Sequence, residues 1–193
     1  MNPDLVLGAT DWGGERPALE AAGVTVLTTL MLTSVSDIFA SMRSVRAAVG
    51  KELEGSLLIE QIAEDVLSME MSVLGEPKRT AVFLYASSAD AAPYATGTGT
   101  IEHELILRAG GTDVLSDIEG FVHVSFEEIL KRNPDVIFTA PSQIENIPRN
   151  PLLQGLAAVR NARVVGIRAS EVASTQVAEV LRMMIDTLHD LKL

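Results

Sequence analysis

Apolar residues between Ser56 and Leu74 recur at Leu58, Ile62, Val66, Met69 and Val73, with a second row at Ile59, Ala63 and Leu67. That spacing predicts a helix with a wide apolar face. Gly55 in front and Gly75-Glu76-Pro77 behind punctuate its ends. At about 1.5 Å per residue it would span roughly 28 Å. Two partly matching stretches flank it, Asn2-Pro-Asp-Leu-Val-Leu7 and Asn133-Pro-Asp-Val-Ile-Phe138. Each is a turn running into a short apolar strand of the kind that parallel sheets bury. Each is followed by a second apolar strand, Val24-Thr-Val-Leu27 in one case and Arg163-Val-Val-Gly-Ile167 in the other. Agreement in content and order points to two related α/β lobes joined by the helix. The expected division is a partial N-terminal lobe over 1–54, an interlobe helix over 55–75 and a C-terminal lobe over 76–193. The plain alternative is an ordinary core helix of a single domain.

The remaining pattern reads as further strands and helices. Strands are expected at Leu5–Ala9, Val24–Thr29, Thr80–Ala86, Val136–Thr139 and Val164–Ile167. Helices are expected at Pro17–Ala22, Ser34–Val49, Thr100–Ala109 and Phe126–Arg132, with a short one before Val164 and a final one from about Thr175 to Leu191. Thr100 is placed to cap its helix and Gly110-Gly111 to stop it. Ser125-Phe-Glu-Glu128 is a capping-box pattern, and Asn133-Pro134 ends the helix that follows. Ser87–Gly99 and Ala140–Pro151 read as loops. In the second half a strand, a loop and capped helices precede the Asn-Pro-Asp turn; in the first half only Met1 does. The first lobe is therefore expected to lack its opening half and to expose an edge at Leu5–Ala9 that invites covering or self-association.

With 193 residues, 47% hydrophobic and 21% charged, the chain is globular rather than disordered. A net charge of −11 disfavours nucleic acid and anionic membrane surfaces as partners. There is no cysteine, hence no thiol nucleophile and no disulfide frame. No apolar run is long enough to span a bilayer, and no basic-then-apolar signal segment opens the sequence.

Three further stretches belong to this layout: Gly97-Thr-Gly-Thr-Ile-Glu-His-Glu-Leu-Ile-Leu-Arg-Ala-Gly-Gly111, the run from Val124 through Asn133-Pro-Asp-Val-Ile137, and Asn150-Pro-Leu-Leu-Gln-Gly-Leu-Ala-Ala-Val-Arg-Asn-Ala-Arg-Val-Val165. Together with Asn2–Leu7 and Ala21–Val26, they make the sequence resemble the helix-hinged solute-binding proteins of ABC importers for iron–siderophore complexes, haem and cobalamin. The resemblance implies two Rossmann-like lobes with parallel sheets bridged by one long helix, here with a truncated N-terminal lobe. It also implies a ligand held between the lobes, no chemistry done, and a parent protein that is periplasmic or otherwise extracytoplasmic. The implied partners are an ABC permease with its ATPase, and a chelated-iron or corrinoid small molecule carried as cargo, with no intrinsic cofactor. A glutamate on each lobe's rim would dock into arginine pockets of the permease, and Glu15 and Glu145 lie in the matching regions.

Ligands of open parallel sheets sit beyond the C-terminal ends of the strands. Those ends deliver the loops Thr10–Glu15, Ala86–Gly99, Ala140–Asn150 and Arg168–Ser174. Trp12, the single tryptophan, offers an aromatic wall or an anchor for its own loop. Tyr94 sits among small residues with its phenol available to a ligand, whereas Tyr85, within a strand, reads as core. Thr96-Gly97-Thr98 precedes a helix N-terminus whose amides could receive an anion, although Glu102 and Glu104 already answer that helix dipole. Arg149 and Arg168 could pair with ligand carboxylates or stay solvated. His103, His123 and His189 have no metal-ligand spacing, so no metal site is expected. His103 reads as a half-exposed helix residue. Two other functions fit the same layout: an enzyme of chelatase-like type, which should show a nucleophile with its base or paired carboxylates, and a degenerate module serving only in assembly.

Overall fold

A computed structural model describes residues 3–9 and 14–191. The chain divides into two compact units, Met1–Gln61 and Ile62–Leu193. The division falls inside the long helix, which runs over Glu52–Ser72 and not 56–74.

In the first unit, β1 (Leu5–Ala9) and β2 (Thr25–Thr29) form a two-stranded parallel sheet, with Leu5 opposite Thr25 and Ala9 opposite Thr29. The helices α1 (Glu15–Ala21) and α2 (Val35–Ala48) both pack on β2. Ser34 caps α2, its Oγ accepting from the Asp37 amide, while the Asp37 carboxylate accepts from the Thr33 amide and from both hydroxyls. These bonds, the Ser34 hydroxyl first, hold the Asp37 carboxyl below its ordinary value. Gly50, at φ +65°, ends α2 and allows the chain to re-enter a helix at once as α3 (Glu52–Ser72). Gly55 is thus inside α3, not before it. A Cβ there would lie 2.5 Å from the Cβ of Arg46, so this glycine permits the close approach of α2 and α3. The sequence pattern alone could not separate a packing glycine from a terminating one.

The second unit holds a six-stranded sheet whose central pairings are parallel, as expected, with two short antiparallel strands added on one side. Its centre is β3 (Thr80–Tyr85). On one side β3 pairs in parallel with β7 (Val136–Thr139), and β7 in turn with β8 (Val164–Gly166). On the other side β3 takes two short partners. Its first residues pair in parallel with β5 (Thr112–Asp113), and its last two pair antiparallel with β4 (Tyr94–Thr96), which lies in the stretch expected to be loop. A further antiparallel strand, β6 (Phe121–His123), pairs with β4.

Val82, Leu84 and Ile137 point into one core with Ala95, Leu115, Ile129, Ile147, Leu153 and Leu156. By the two-residue alternation of a strand, Phe83, Tyr85 and Phe138 point to the opposite face, where Phe83 and Phe138 lie 5.2 Å apart. The helix α4 (Ile101–Arg108) packs on β3 and against α9 (Val177–His189), whose Leu181, Met184, Ile185 and Leu188 are buried. Thr100 Oγ accepts from the His103 amide, as its capping position predicts. Ser125 caps α5 (Phe126–Arg132) in the same way through Glu128, and Asn133 closes α5 in the left-handed region at φ 45°. Three short helices complete the unit, α6 (Asn146–Arg149), α7 (Ala157–Arg160) and α8 (Ala169–Val172). Two of these, α6 and α8, fall where loops were expected. At the end of α9, Asp190 accepts from Arg79 and Arg163, and these partners, Arg79 first, hold its carboxyl below the ordinary range.

The two units differ in how well their strands are covered. Every residue of β7 is buried, whereas no side chain described in β1 or β2 is, and Leu7 is 46% exposed. Main-chain amides of β1 should therefore exchange with solvent at least about 100-fold faster than those of β3 and β7, since protection follows local burial. Residue-resolved hydrogen exchange on the monomeric chain checks this, and equal protection of β1 and β7 would contradict it.

Candidate functional site

The sequence directs attention to the loops at the C-terminal end of β3, and there the fold builds an exposed aromatic shelf. Tyr85 ends β3, and the register places it beside Tyr94 of β4, which in turn faces His123 of β6. Thr96 faces Phe121 in the same ladder. Alternation puts Tyr85, Tyr94, Thr96, Phe121 and His123 on one face of the sheet, while Leu84, Ala95 and Val122 turn to the core. Tyr94 and Phe121 stack with ring centroids 5.0 Å apart and planes 9° apart. The His123 ring lies 3.5 Å from that of Tyr94. Tyr94 is 41% exposed and Phe121 55%. Rings stacked on one another and left this open present exposed aromatic area, with a phenol and an imidazole beside it.

Hydrogen bonds within the chain fix this shelf. The Gly97 amide donates to Gly120 O at 2.9 Å, and the Thr98 amide and hydroxyl both donate to Ile118 O, at 2.8 and 3.0 Å. The amides of the Thr96–Thr98 turn thus bind the segment 118–120 and hold β6 on β4. Thr96 is fully buried, and its hydroxyl has no hydrogen-bond partner among the described residues. The preceding loop is held from the other side, where Asn146 Nδ2 donates to Ala86 O at 2.8 Å and Asn150 Nδ2 to Ala89 O. His103 is not the half-exposed helix residue expected. Its Nδ1 lies 2.7 Å from Oδ2 of the buried Asp113, whose other oxygen accepts from the Leu115 amide.

The other candidate residues fall in different places. Arg149 lies at the end of α6 and pairs with Glu145 at 2.5 Å, so a predicted ligand cation and a predicted docking carboxylate are partners of one another. Arg168 precedes α8 and donates to Glu171 at 2.8 Å. Glu15 is exposed and opens α1, in the first unit. Trp12 lies outside the described residues. Phe121 and His123 were missed. They lie far from Tyr94 in sequence, in a three-residue strand too short to show a two-residue period. Among the described residues no group of three or more His, Cys, Asp or Glu is placed to hold a metal ion, and no helix is long and apolar enough to cross a membrane.

The exposed rings lie beyond the end of the central strand of the second unit, the end of an open α/β sheet at which ligands generally sit. Residues 1–171 match the sequence profile described as periplasmic binding protein, and the chain belongs to that family. It is 28% identical over 145 residues to an uncharacterized ABC transporter substrate-binding lipoprotein of Bacillus subtilis (strain 168), YvrC. That match takes in 72% of this chain but 46% of the relative, so the chain spans about half the length of the curated relative it matches. The periplasmic heme-binding protein RhuT from Roseiflexus sp. RS-1, in its apo form, superposes with a TM-score of 0.88 at 22% identity, covering 98% of this chain and 76% of that one. An ABC-type Fe3+-hydroxamate transport system protein from Saccharomonospora viridis DSM 43017 gives 0.81 at 25% identity, covering 96% and 68%.

The tight turn under the shelf gives a direct test. A Cβ at Gly97 would lie 2.1 Å from Ile118 O, a backbone atom that cannot swing aside. Gly97→Ala should destabilise the second unit by about 3 kcal/mol. Denaturant unfolding followed by far-UV circular dichroism measures this, and a change below about 0.5 kcal/mol would show that the 118–120 segment yields freely.

Proposed function

We propose that this chain binds an iron chelate or a corrinoid for an ABC importer, with the Tyr94–Phe121 shelf as its contact surface. The observation that carries the reading is the pair of stacked, solvent-exposed rings fixed beyond the end of β3. Exposed aromatic rings suit a largely apolar ligand such as haem, because ring contacts and area burial then add. The Tyr94 phenol and the His123 imidazole stand where a ligand lying on the shelf would meet them, and Arg149 and Arg168 are candidates for its carboxylates. Family membership supports the carrier role, and likeness to the heme-binding and Fe3+-hydroxamate proteins supports the ligand class. The cargo would be taken up outside the cytoplasm and passed on unchanged. The same reading covers siderophore and cobalamin ligands.

Titration of the chain with hemin, a ferric hydroxamate and cobalamin, followed by absorbance and calorimetry, tests the reading. Hemin should bind, and Tyr94→Ala should weaken it at least about 10-fold, equivalent to about 1.4 kcal/mol. Binding of none of the three, or hemin binding untouched by Tyr94→Ala and Phe121→Ala alike, would remove the shelf from consideration.

Delivery calls for a docking contact, and Glu15 and Glu145 are proposed for it. Exposed carboxylates can receive permease guanidinium groups bidentately, and such pairs steer encounter more than they tighten it. Both glutamates are solvent-exposed, and Glu145 pairs with the exposed Arg149. Reversing both to lysine should abolish stimulation of transport by the cognate permease while leaving hemin affinity within about 2-fold. Unchanged transport would exclude the pair.

A further inference from the structure

The apolar residues of α3 lie on two sides of the helix, not on the single wide face expected. Ile62 and Val66 are buried, while Leu53, Leu57, Leu67 and Met71 are exposed, from 56% at Leu67 to 70% at Leu53. With 3.6 residues per turn the two sets point to opposite sides. Leu53, Leu57, Glu60, Glu64, Leu67 and Met71 follow one another at intervals of four and three residues, and all are exposed. That is the heptad spacing with which one helix presents a straight seam to another. An exposed leucine alone means little, but the outward face of a helix is ordinarily polar. Here the seam is apolar at both ends and carries two carboxylates at its centre. The whole of α3 has six acidic residues and no lysine or arginine.

We propose that this seam is a docking surface for a basic amphipathic helix of a partner protein, with arginine or lysine at two central positions and apolar residues toward both ends. The proposal is independent of the ligand surface. A second copy of this chain fits the seam poorly. Antiparallel pairing sets Glu60 against Glu64, and parallel pairing sets each glutamate against its counterpart. Either way four like charges meet, and α3 offers no cation to separate them. An anionic bilayer is repelled by the same carboxylates, and interfacial helices carry lysine and arginine on their polar face, which α3 lacks. A partner's central cations instead pair with Glu60 and Glu64, while Leu53, Leu57, Leu67 and Met71 supply apolar burial at either end. The order apolar, acidic, apolar reads the same from both ends. Charge therefore fixes the partner's register and not its direction.

The test follows the fluorescence anisotropy of two labelled peptides added to the full chain, each as long as α3, 21 residues. Both repeat the seam's spacing with leucine at the four outer positions and alanine or glutamine elsewhere. One carries arginine at the two central positions, the other glutamate. The arginine peptide should bind at least about 10-fold more tightly than the glutamate peptide, and added salt should narrow the difference. Glu60→Lys with Glu64→Lys should reverse the preference. Leu57→Gln with Leu67→Gln should weaken the arginine peptide at least about 10-fold. All four side chains are exposed, so thermal melts of both variants should match that of the unmodified chain. No binding of the arginine peptide, or equal binding of the two peptides, would overturn the proposal. A dimer of the unmodified chain in sedimentation velocity that Leu57→Gln with Leu67→Gln dissolves would overturn it in favour of a second copy. Binding to phosphatidylglycerol vesicles that the same variant abolishes would overturn it in favour of a lipid surface.

Discussion

A parallel strand has to be covered on both faces, and the second unit is arranged around meeting that demand at β3 and β7. Residues 81–84 of β3 and all of β7 are buried. Their odd and even side chains enter two separate packings, one closed by α5 and the segments around α6 and α7, the other by α4 and α9. Parallel pairing also requires long crossovers, which return the chain to the same end of the sheet each time. The strand ends Tyr85, Thr139 and Gly166 are therefore followed by the irregular segments where a binding surface can form. In the first unit the same demand is met only in part. Both helices lie on β2, and β1 keeps an exposed Leu7.

The shelf arises where β3 changes partners. Its first residues carry the parallel β5 and its last carry the antiparallel β4, so the sheet turns from a wholly buried layer into a ribbon with one open face. An antiparallel ribbon tolerates solvent on one side, which a parallel layer does not. This is what allows Tyr94 and Phe121 to remain exposed without undoing the core, because Ala95 and Val122 on the other face still pack against it. The ribbon's register depends on Gly97, whose missing Cβ lets the chain pass against Ile118 O. The fully buried Asp113, joined to His103 and to the Leu115 amide, anchors the start of the segment that leads to β6.

These differences explain what the sequence could and could not disclose. The elements β7 and α5 were legible to the residue, because the capping Ser125, the turn at Asn133-Pro134 and a wholly apolar strand follow one another without a gap. Thr100 gave its helix away for the same reason. The strands β4 and β6 were not legible, since three residues are too few to show a two-residue period, and Tyr-Ala-Thr has no strand signature among glycines and alanines. Tyr94 could be singled out as an aromatic residue among small ones. Its partners Phe121 and His123 could not, because only the pairing of two unrecognised strands brings them beside it. Gly55 misled for a related reason: a glycine that admits a neighbouring helix and one that ends its own helix look alike until the neighbour is placed.

The pairing of Arg149 with Glu145 binds together two roles that were assigned separately. Both side chains are largely exposed, so the ion pair is worth only about 0–1 kcal/mol, and either partner can be drawn away at little cost. Under the proposed roles, a ligand carboxylate taking Arg149 would leave Glu145 without its cation, and a permease guanidinium taking Glu145 would leave Arg149 without its anion. Each event would relieve the other of competition, which is the form that positive coupling between two sites takes. The coupling cannot exceed the energy of the pair that is shared, so it is bounded at a few-fold in affinity. An arrangement of this kind would favour docking of the loaded over the empty chain slightly, without any change in the fold that holds the two residues one helical turn apart on α6.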